Sequence, residues 1–338
     1  MLEPGIIHDI RDTEVVESKI KIAQEQLEEV EGIRLIKLKT YKRRKRIGIP
    51  LAAVLSIPCA LIDFFLLAMK QSNDGDGGAG VTVLVMGLIY AWVTQPKRDY
   101  TKAYKMQLMP KIVEAFGNFK YNLKGKIDDA LMKPSKILPR YDKYKSEDHF
   151  EGHYKGSHIQ FCEINLKQRR RSRKRTRYVS VFKGLAILLE SKNRTFYGHT
   201  ILTKDSSKLM EWFKEKSSDL KRANLVDPEF EDMFDVYTND QVEARYLVDP
   251  KIMEQLKKLS TLYNGKSLSA AYYDQKFLIL IESKENHFEP PGIHVPATSR
   301  KSLEELYQEI ESILNIGDVL ELYDPKAVHN KGQTPEIS

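Results

Sequence analysis

The most constraining feature of the sequence is an apolar run over residues 47–69, in which Asp63 is the only charged side chain. A helix of about 23 residues measures roughly 35 Å, which is enough to cross a bilayer. A second apolar run, residues 79–95, follows after a connection so short that it favours a helical hairpin. Tyr90 and Trp92 lie near its end, where interfacial aromatic residues are expected. We therefore predict two transmembrane spans; for the second run, the alternative is a helix buried in a soluble core.

The charges around the two runs indicate an orientation. Lys and Arg residues crowd before the first run and after the second, whereas the connection between them carries Asp74 and Asp76. Because cytoplasmic flanks are enriched in Lys and Arg, we predict a multi-pass protein of the cell's inner membrane with both termini in the cytoplasm. Asp63 lies about 9 Å along the helix from Met69, near the outer interface, and we expect a structural role for it rather than an ion path.

The two runs divide the chain into parts with different predicted structures. Residues 1–46 form a cytoplasmic amphipathic and basic helix, and residues 96–140 form a cytoplasmic helical connector. The soluble domain covers residues 141–325, and residues 326–338 form a disordered tail. The apolar stripe of the first helix is Val16, Ile20, Ala23, Leu27 and Val30. Packing of this stripe against the connector is the simplest use for it, and homodimerisation through the N-terminal helix is the alternative.

Residues 141–325 show interleaved strand and helix patterns, which predict an α+β fold with an antiparallel sheet. The stretch 268–283 is expected to be a hairpin around Asp274, and a helix is expected to begin at Pro250. A capping box from Ser302 to Glu305 is expected to open the last helix. Phe230 and Phe234 are four residues apart, and we predict that both belong to the core.

The sequence contains no recognisable catalytic, cofactor or metal motif. Cys59 and Cys162 are far apart and support neither a disulfide framework nor a zinc site. His149, His153 and His158 fall close together in a segment that is read as strands, so surface or turn histidines are expected rather than metal ligands. We accordingly predict no cofactor and no metal, and favour a protein that is not an enzyme.

A dense basic run lies between a predicted strand that ends near Leu166 and another that starts near Tyr178, and it is expected to be a solvated hairpin loop. Contact with anionic lipid head groups of the inner leaflet is the second interpretation. Nucleic acid ranks third, because the loop has no stacking aromatic residues. The candidate contact residues are Arg169, Arg170, Arg171, Arg173, Lys174, Arg175 and Arg177.

Four stretches carry a resemblance to a known family: "EGHYKGSHIQFCEINL", "VFKGLAILLE", "FYGHTILTKD" and "DPEFEDMFDVYTNDQVEARYLVDPKIMEQL", the last covering residues 227–256. With them, most of the chain resembles the bacterial membrane-protein family catalogued as domain of unknown function 3137. The resemblance implies a membrane-anchored protein with a cytosol-facing domain, and it implies no catalytic residues. The predicted function is a non-enzymatic module that binds a protein or lipid partner; the alternative is a membrane-bound enzyme with an unrecognised site in the soluble domain.

Overall fold

The computed structural model describes residues 24–69, 80–154, 157–172, 175–191, 196–204, 219–223, 234–263 and 267–321. The chain divides into two compact units. The first unit comprises residues 1–111 and 289–303, and the second comprises residues 112–288 and 304–338.

The first unit is built on two long helices, α1 (Gln24–Met69) and α2 (Val81–Gln107). They lie antiparallel, since the Lys37 ammonium is 2.8 Å from the Asp99 carboxylate and the Asp63 carboxylate lies at the N-terminus of α2. The buried face of α1 recurs at intervals of three, four and seven residues, as expected for two helices that share a seam. This face consists of Leu27, Val30, Arg34, Tyr41 and Gly48. The two helices pack against each other as predicted, but of the predicted stripe the structure describes only Leu27 and Val30, which are both buried.

Asp63 has the structural role that was predicted. Its two carboxylate oxygens accept hydrogen bonds from the backbone N–H groups of Val81 and Thr82, at 2.6 and 3.0 Å. These N–H groups have no partner within their own helix, and a carboxylate also complements the positive end of the helix dipole. Gly80 makes this approach feasible, because a Cβ at that position would lie 2.2 Å from Asp63 Oδ2.

One of the two predicted spans meets the criteria of length and composition for crossing a membrane. Among the described residues, the helical segment Gln26–Ala68 is the single one that is long and apolar enough, with a mean hydropathy of 2.3 in its best window. It contains the predicted span 47–69. The second predicted span, 79–95, belongs to α2, in which the apolar stretch is followed directly by Gln95, Pro96, Lys97 and Arg98.

A segment far along the chain completes the first unit. We call residues 289–303 the strap. Arg34 Nη1 donates to the carbonyl of Ile293 at 2.7 Å, and the N–H of Ala297 donates to Glu31 Oε2 at 2.7 Å. Arg34 and Glu31 also pair with each other at 2.6 Å, and this bond holds the pKa of the Glu31 carboxyl below its usual value. Nothing in the sequence pattern predicted the strap.

The second unit contains a nine-stranded sheet in which all neighbouring strands are antiparallel, as predicted. The strand order is β1-β2-β3-β4-β9-β8-β5-β7-β6. The strands are β1 (Asn118–Asn122), β2 (Lys143–Tyr154), β3 (Ser157–Arg171), β4 (Thr176–Ser191), β5 (Thr200–Thr203), β6 (Lys221–Arg222), β7 (Asp235–Thr238), β8 (Ser267–Tyr273) and β9 (Lys276–Glu282).

The central strands are buried on both faces of the sheet. One face packs Cys162, Ile164 and Leu188 against Ile127 and Met132, which belong to the segment that precedes β2. On the other face, alternate residues of the same strands form an aromatic cluster. In that cluster the rings of Phe150 and Phe161 stack at 4.4 Å, and the ring of Phe288 lies 4.9 Å from that of Phe150. Burial on both sides explains the near-continuous apolar sequences of β4 and β9.

The remaining helices are α3 (Met109–Glu114), α4 (Asp129–Met132), α5 (Gln241–Leu247), α6 (Pro250–Leu262) and α7 (Arg300–Glu321). As predicted, α6 begins at Pro250, and Asp249 caps it by accepting from the N–H of Ile252. The predicted capping box at Ser302 is wrong, because α7 already begins at Arg300 and the Ser302 hydroxyl contacts Ser299 Oγ.

The connector predicted as helical over residues 96–140 is helical only in part. Helix continues to Glu114, but β1 and a short 3-10 turn (Lys133–Ser135) follow, with α4 between them. The reason is tertiary: β1 pairs with the edge of β2, and Ile127 and Met132 complete the core beneath the sheet.

Several predictions fall outside the described residues. They concern Val16, Ile20 and Ala23 of the N-terminal stripe, Phe230 and the tail over 326–338. Phe234 is described, and it is buried with 2% of its surface exposed, as predicted.

Candidate functional site

The basic run lies at the end of a long β-hairpin rather than in a loop. We call residues 167–178 the basic hairpin. The prediction that the strands stop near Leu166 and resume near Tyr178 is wrong, since β3 continues to Arg171 and β4 begins at Thr176. Ser172 and Arg175 close the turn by exchanging backbone hydrogen bonds of 2.8 and 3.3 Å. The basic residues adopt strand conformation because β3 and β4 pair through backbone hydrogen bonds, although their charge alone suggests a loop.

The ladder sorts the basic side chains onto two faces. Arg169 pairs with Tyr178, Arg170 with Arg177, and Arg171 with Thr176. Directly paired residues share a face and successive residues alternate. Arg169 and Arg171 therefore lie on one face with Tyr178, while Arg170 and Arg177 lie opposite each other on the other face. All of these side chains are exposed.

Two further residues belong to this surface, and the sequence reasoning missed them. Lys143 of β2 pairs with Lys167 of β3, and its ammonium lies 3.7 Å from the centroid of the Tyr178 ring. Asp142 braces the same edge by accepting from the N–H of Arg169 at 2.6 Å and donating its own N–H to Lys167 O at 2.8 Å. The sequence signal for Lys143 was the basic start of β2. It points to this surface only when the pairing of β2 with β3 is known.

Two of the predicted contact residues, Arg173 and Lys174, lie outside the described residues. Arg175 is exposed at the turn. The structure thus brings five of the predicted residues together on one projecting hairpin: Arg169, Arg170, Arg171, Arg175 and Arg177.

A serine, a histidine and a carboxylate also meet inside the second unit, in an arrangement relevant to catalysis. Ser283 Oγ lies 2.9 Å from His287 Nε2, and His287 Nδ1 lies 3.8 Å from Glu309 Oε1. The N–H of His287 donates to the carboxylate of Glu163, and Tyr263 donates to Glu309 O at 3.0 Å. These contacts join β3, β9 and α7 through side chains.

The buried cluster of Ser283, His287 and Glu309 is a structural network. Ser283 and His287 are 1% and 5% exposed, so a substrate carbonyl has no access to the hydroxyl. The distance of 3.8 Å between His287 Nδ1 and Glu309 is too long for the hydrogen bond that orients the histidine in a triad. The cluster instead satisfies polar groups where the chain leaves β9.

Cys162 and the three neighbouring histidines, which were expected to be surface or turn residues, also lack catalytic features. Burial raises the pKa of the Cys162 thiol to about 12, so it is protonated at neutral pH. His149 is buried and shares a hydrogen bond with Gln160, and burial lowers its pKa. The rings of His153 and His158 are 4.9 Å apart. No group of three or more ligands suited to a metal ion occurs among the described residues.

The helical hairpin of the first unit has its own distinctive surface, in which Pro96 plays a part. Proline has no N–H, so the carbonyl of Trp92, four residues earlier, loses its helical partner. Arg44 of α1 donates to this carbonyl at 2.8 Å and to Gln95 Oε1 at 2.8 Å. Its guanidinium also lies 5.1 Å from the centroid of the Trp92 ring. Arg44 therefore joins the two helices at the point where α2 lacks one backbone hydrogen bond.

We expect Arg44→Ala to destabilise the helical hairpin by about 1.5–3 kcal/mol, the range for a hydrogen bond to a charged group. In a Pro96→Ala background the cost is expected to be smaller, because the substituted alanine would supply the N–H that the Trp92 carbonyl lacks. Thermal unfolding of the two single variants and the double variant in detergent gives the coupling energy. Strictly additive effects would contradict this role for Arg44.

Comparisons with known proteins bear on the second unit. Residues 180–322 match the model of a family described as "Protein of unknown function (DUF3137)". This match assigns residues 180–322 to the DUF3137 family. The resemblance is confirmed over these residues, whereas it was expected over most of the chain. The matched region contains most of β4 and all of β5 to β9, while α1, α2 and the basic residues of the hairpin precede it.

A solved structure is also similar to this chain. It is the crystal structure of the mycobacterial trehalose monomycolate transport factor A, TtfA, with 10% identity and a TM-score of 0.31. The similarity covers 59% of this chain and 86% of that chain. A likeness of this size supports no argument about function. No curated protein matches the chain.

Proposed function

We propose that the protein is a membrane-anchored module of the cell's inner membrane with two spans, residues 47–69 and 79–95, and both termini in the cytoplasm. Its α+β domain binds a protein or lipid partner and is not an enzyme. The basic hairpin is the contact surface that we assign to it, with anionic head groups of the inner leaflet as the ligand.

The observation that carries the anchoring is the apolar surface of the helical hairpin. On α1, Phe64 and Leu67 are 75% and 72% exposed, and on α2, Leu88 and Tyr90 are 64% and 71% exposed. A patch of this kind is much larger than soluble proteins leave in contact with water. Acyl chains of lipids would cover this apolar surface without loss of free energy. The backbone N–H and C=O groups of helices are hydrogen-bonded within the helix, as a bilayer requires.

The basic hairpin supports the choice of an anionic partner. Arg170 and Arg177 face each other directly, and like charges in that position destabilise a sheet. An anionic surface relieves this repulsion, and each cation near it contributes about 1 kcal/mol. For a domain tethered by two spans, the inner leaflet is the nearest such surface. Contact would then set the orientation of the domain, since the spans already hold it at the membrane.

Other observations bear on two alternatives, a protein partner and an enzymatic function. Leu35 and Ile36 of α1 are 52% and 67% exposed although they precede the proposed span, which favours a protein partner or a homodimer through the N-terminal helix. For the alternative of an enzyme, Ser283 and Cys162 are unsuited as nucleophiles, because both are buried.

The basic hairpin can be tested with the full chain in lipid nanodiscs. An environment-sensitive dye is attached at Ser172→Cys, at the turn, with the parent chain as the measure of labelling at Cys59 and Cys162. In nanodiscs that contain phosphatidylglycerol, the emission is expected to shift to the blue at low salt. The shift is expected to reverse as salt rises, because the Debye length falls from about 30 Å at 0.01 M to about 3 Å at 1 M.

The variant Arg169→Ser, Arg170→Ser, Arg171→Ser, Arg173→Ser is expected to lose the shift. A matched variant with three lysines of α6 replaced by serine, at Lys251, Lys257 and Lys258, is expected to keep it. Identical emission in anionic nanodiscs and in pure phosphatidylcholine nanodiscs at low salt would remove the leaflet contact and leave the solvated hairpin.

A further inference from the structure

A second basic surface surrounds the helical hairpin where its apolar part begins. We call it the basic collar, and its residues are Lys42, Arg43, Lys45 and Arg46 of α1 with Arg98 and Lys102 of α2. All six side chains are exposed. In the sequence, these charges indicate the orientation of the helical hairpin in the membrane.

Helix geometry directs most of the collar away from the seam between the helices. Tyr41 and Gly48 face the seam and are buried. At about 100° per residue, Lys42, Arg43 and Arg46 lie about 100° or more around α1 from these two residues, whereas Lys45 borders the seam. On α2, Arg98 and Lys102 are four residues apart and share one face.

The neighbouring cations have other partners. Arg44 donates to the carbonyl of Trp92, and Lys97 lies 4.4 Å from the centroid of the Tyr41 ring. The collar is therefore separate from the charges that hold the two helices together, although Arg98 Nη2 donates to the carbonyl of Ala91 within α2 at 2.9 Å.

An exposed apolar surface continues directly from the collar. Ile47, Ile49 and Leu51 follow it on α1 and are 47%, 59% and 42% exposed. On α2, Tyr90 and Trp92 precede Arg98 along the helix, towards the apolar run, and are 71% and 40% exposed. A ligand that matches both surfaces needs a phosphate and a long apolar chain in one molecule. Phospholipid meets this requirement, whereas inorganic phosphate or a nucleotide would leave the apolar part uncovered.

We propose that the basic collar binds the head-group phosphates of anionic phospholipids in the cytoplasmic leaflet and so gathers a shell of anionic lipid around the helical hairpin. The proposal rests on the proposed function, since it requires the hairpin to lie in a bilayer. It does not depend on the basic hairpin of the second unit.

Trp92 supplies a natural reporter within this surface. In a Trp212→Phe background it is the remaining tryptophan of the chain. The full chain is reconstituted in phosphatidylcholine bilayers that contain the same mole fraction of either brominated phosphatidylglycerol or brominated phosphatidylcholine. Bromine quenches tryptophan at short range, so the two quenching curves give the relative affinity of the two lipids for the collar.

Quenching by the anionic lipid is expected to correspond to a preference of about fivefold or more, the effect of one cation near an anionic surface. The preference is expected to fall towards onefold in high salt and in the variant Lys42→Gln, Arg43→Gln, Lys45→Gln, Arg46→Gln. The variant Lys251→Gln, Lys257→Gln, Lys258→Gln is expected to keep it. The smaller variant Arg98→Gln, Lys102→Gln is expected to reduce the preference in part. It provides the test if the fourfold variant does not insert into the bilayer.

The outcomes separate the two proposals. Absence of quenching by either brominated lipid would show that the helical hairpin is outside the bilayer, and would contradict the proposed function. Equal quenching by both lipids in the parent chain at low salt would contradict the collar alone, with the membrane anchor intact.

Discussion

Gly184→Ala is expected to lower the free energy of unfolding of the second unit by about 2–6 kcal/mol, the sum of backbone strain and a steric clash of about 1–3 kcal/mol each. Gly184 has a φ of 155°, a conformation that L-residues with a side chain rarely adopt. A Cβ there would lie 1.9 Å from the carbonyl oxygen of Ile281 and 2.7 Å from the N–H of Ser283. Because both atoms belong to the backbone, relief would require β4 to move away from the end of β9.

Chemical denaturation of the full chain in detergent measures this loss. The matched control is Gly32→Ala in α1, where a Cβ would meet no atom within 4 Å. Alanine is a better helix former than glycine, so the control is expected to be neutral or stabilising by up to about 1 kcal/mol. Equal stabilities for Gly184→Ala and the parent chain would show that the close approach of β4 and β9 is wrong.

Phe234→Ala is expected to destabilise the second unit by about 3–5 kcal/mol, the range for a buried phenylalanine. The side chain is 2% exposed, and the Lys204 ammonium lies 5.4 Å from its ring centroid. Truncation would leave a cavity. It would also remove the aromatic ring beside Lys204, whose pKa is already lowered by burial. The melting temperature is expected to fall by on the order of 10 °C.

Tyr197→Ala provides the comparison for Phe234, because it removes an aromatic side chain that is 59% exposed. Its effect is expected to stay within about 0.5 kcal/mol, as for most surface substitutions. An unchanged melting temperature for Phe234→Ala would mean that the ring is exposed in solution, and the stretch around it would become a candidate binding surface.

Local patterns were sufficient to predict the features that depend on neighbouring residues. The hairpin of β8 and β9 turns at Asp274, which has a φ of 52° and so takes up the strained position of the turn. Asp249 and Pro250 mark the start of α6 as expected from capping chemistry. The apolar run in α1 was visible because about 23 residues with Asp63 as their single charged side chain stand out from the flanking sequence.

Long-range contacts account for what was missed. The basic hairpin was predicted as a loop because its charges oppose strand formation locally, yet β3 and β4 pair over their full length. Lys143 joins this surface only through its pairing with Lys167. The strap binds Glu31 and Arg34 across more than 250 residues of sequence, and no periodicity signals such a contact.

The central claim is that the helical hairpin crosses the membrane twice with both termini in the cytoplasm. Labelling of single introduced cysteines on intact cells with an impermeant thiol reagent tests it most directly, with the parent chain as the background for the buried Cys59 and Cys162. Ser72→Cys, between the two runs, is expected to label on intact cells, and Ser191→Cys, at the end of β4, only after the membrane is made permeable. Labelling of Ser191→Cys from outside, or protection of Ser72→Cys until permeabilisation, would contradict the two-span topology.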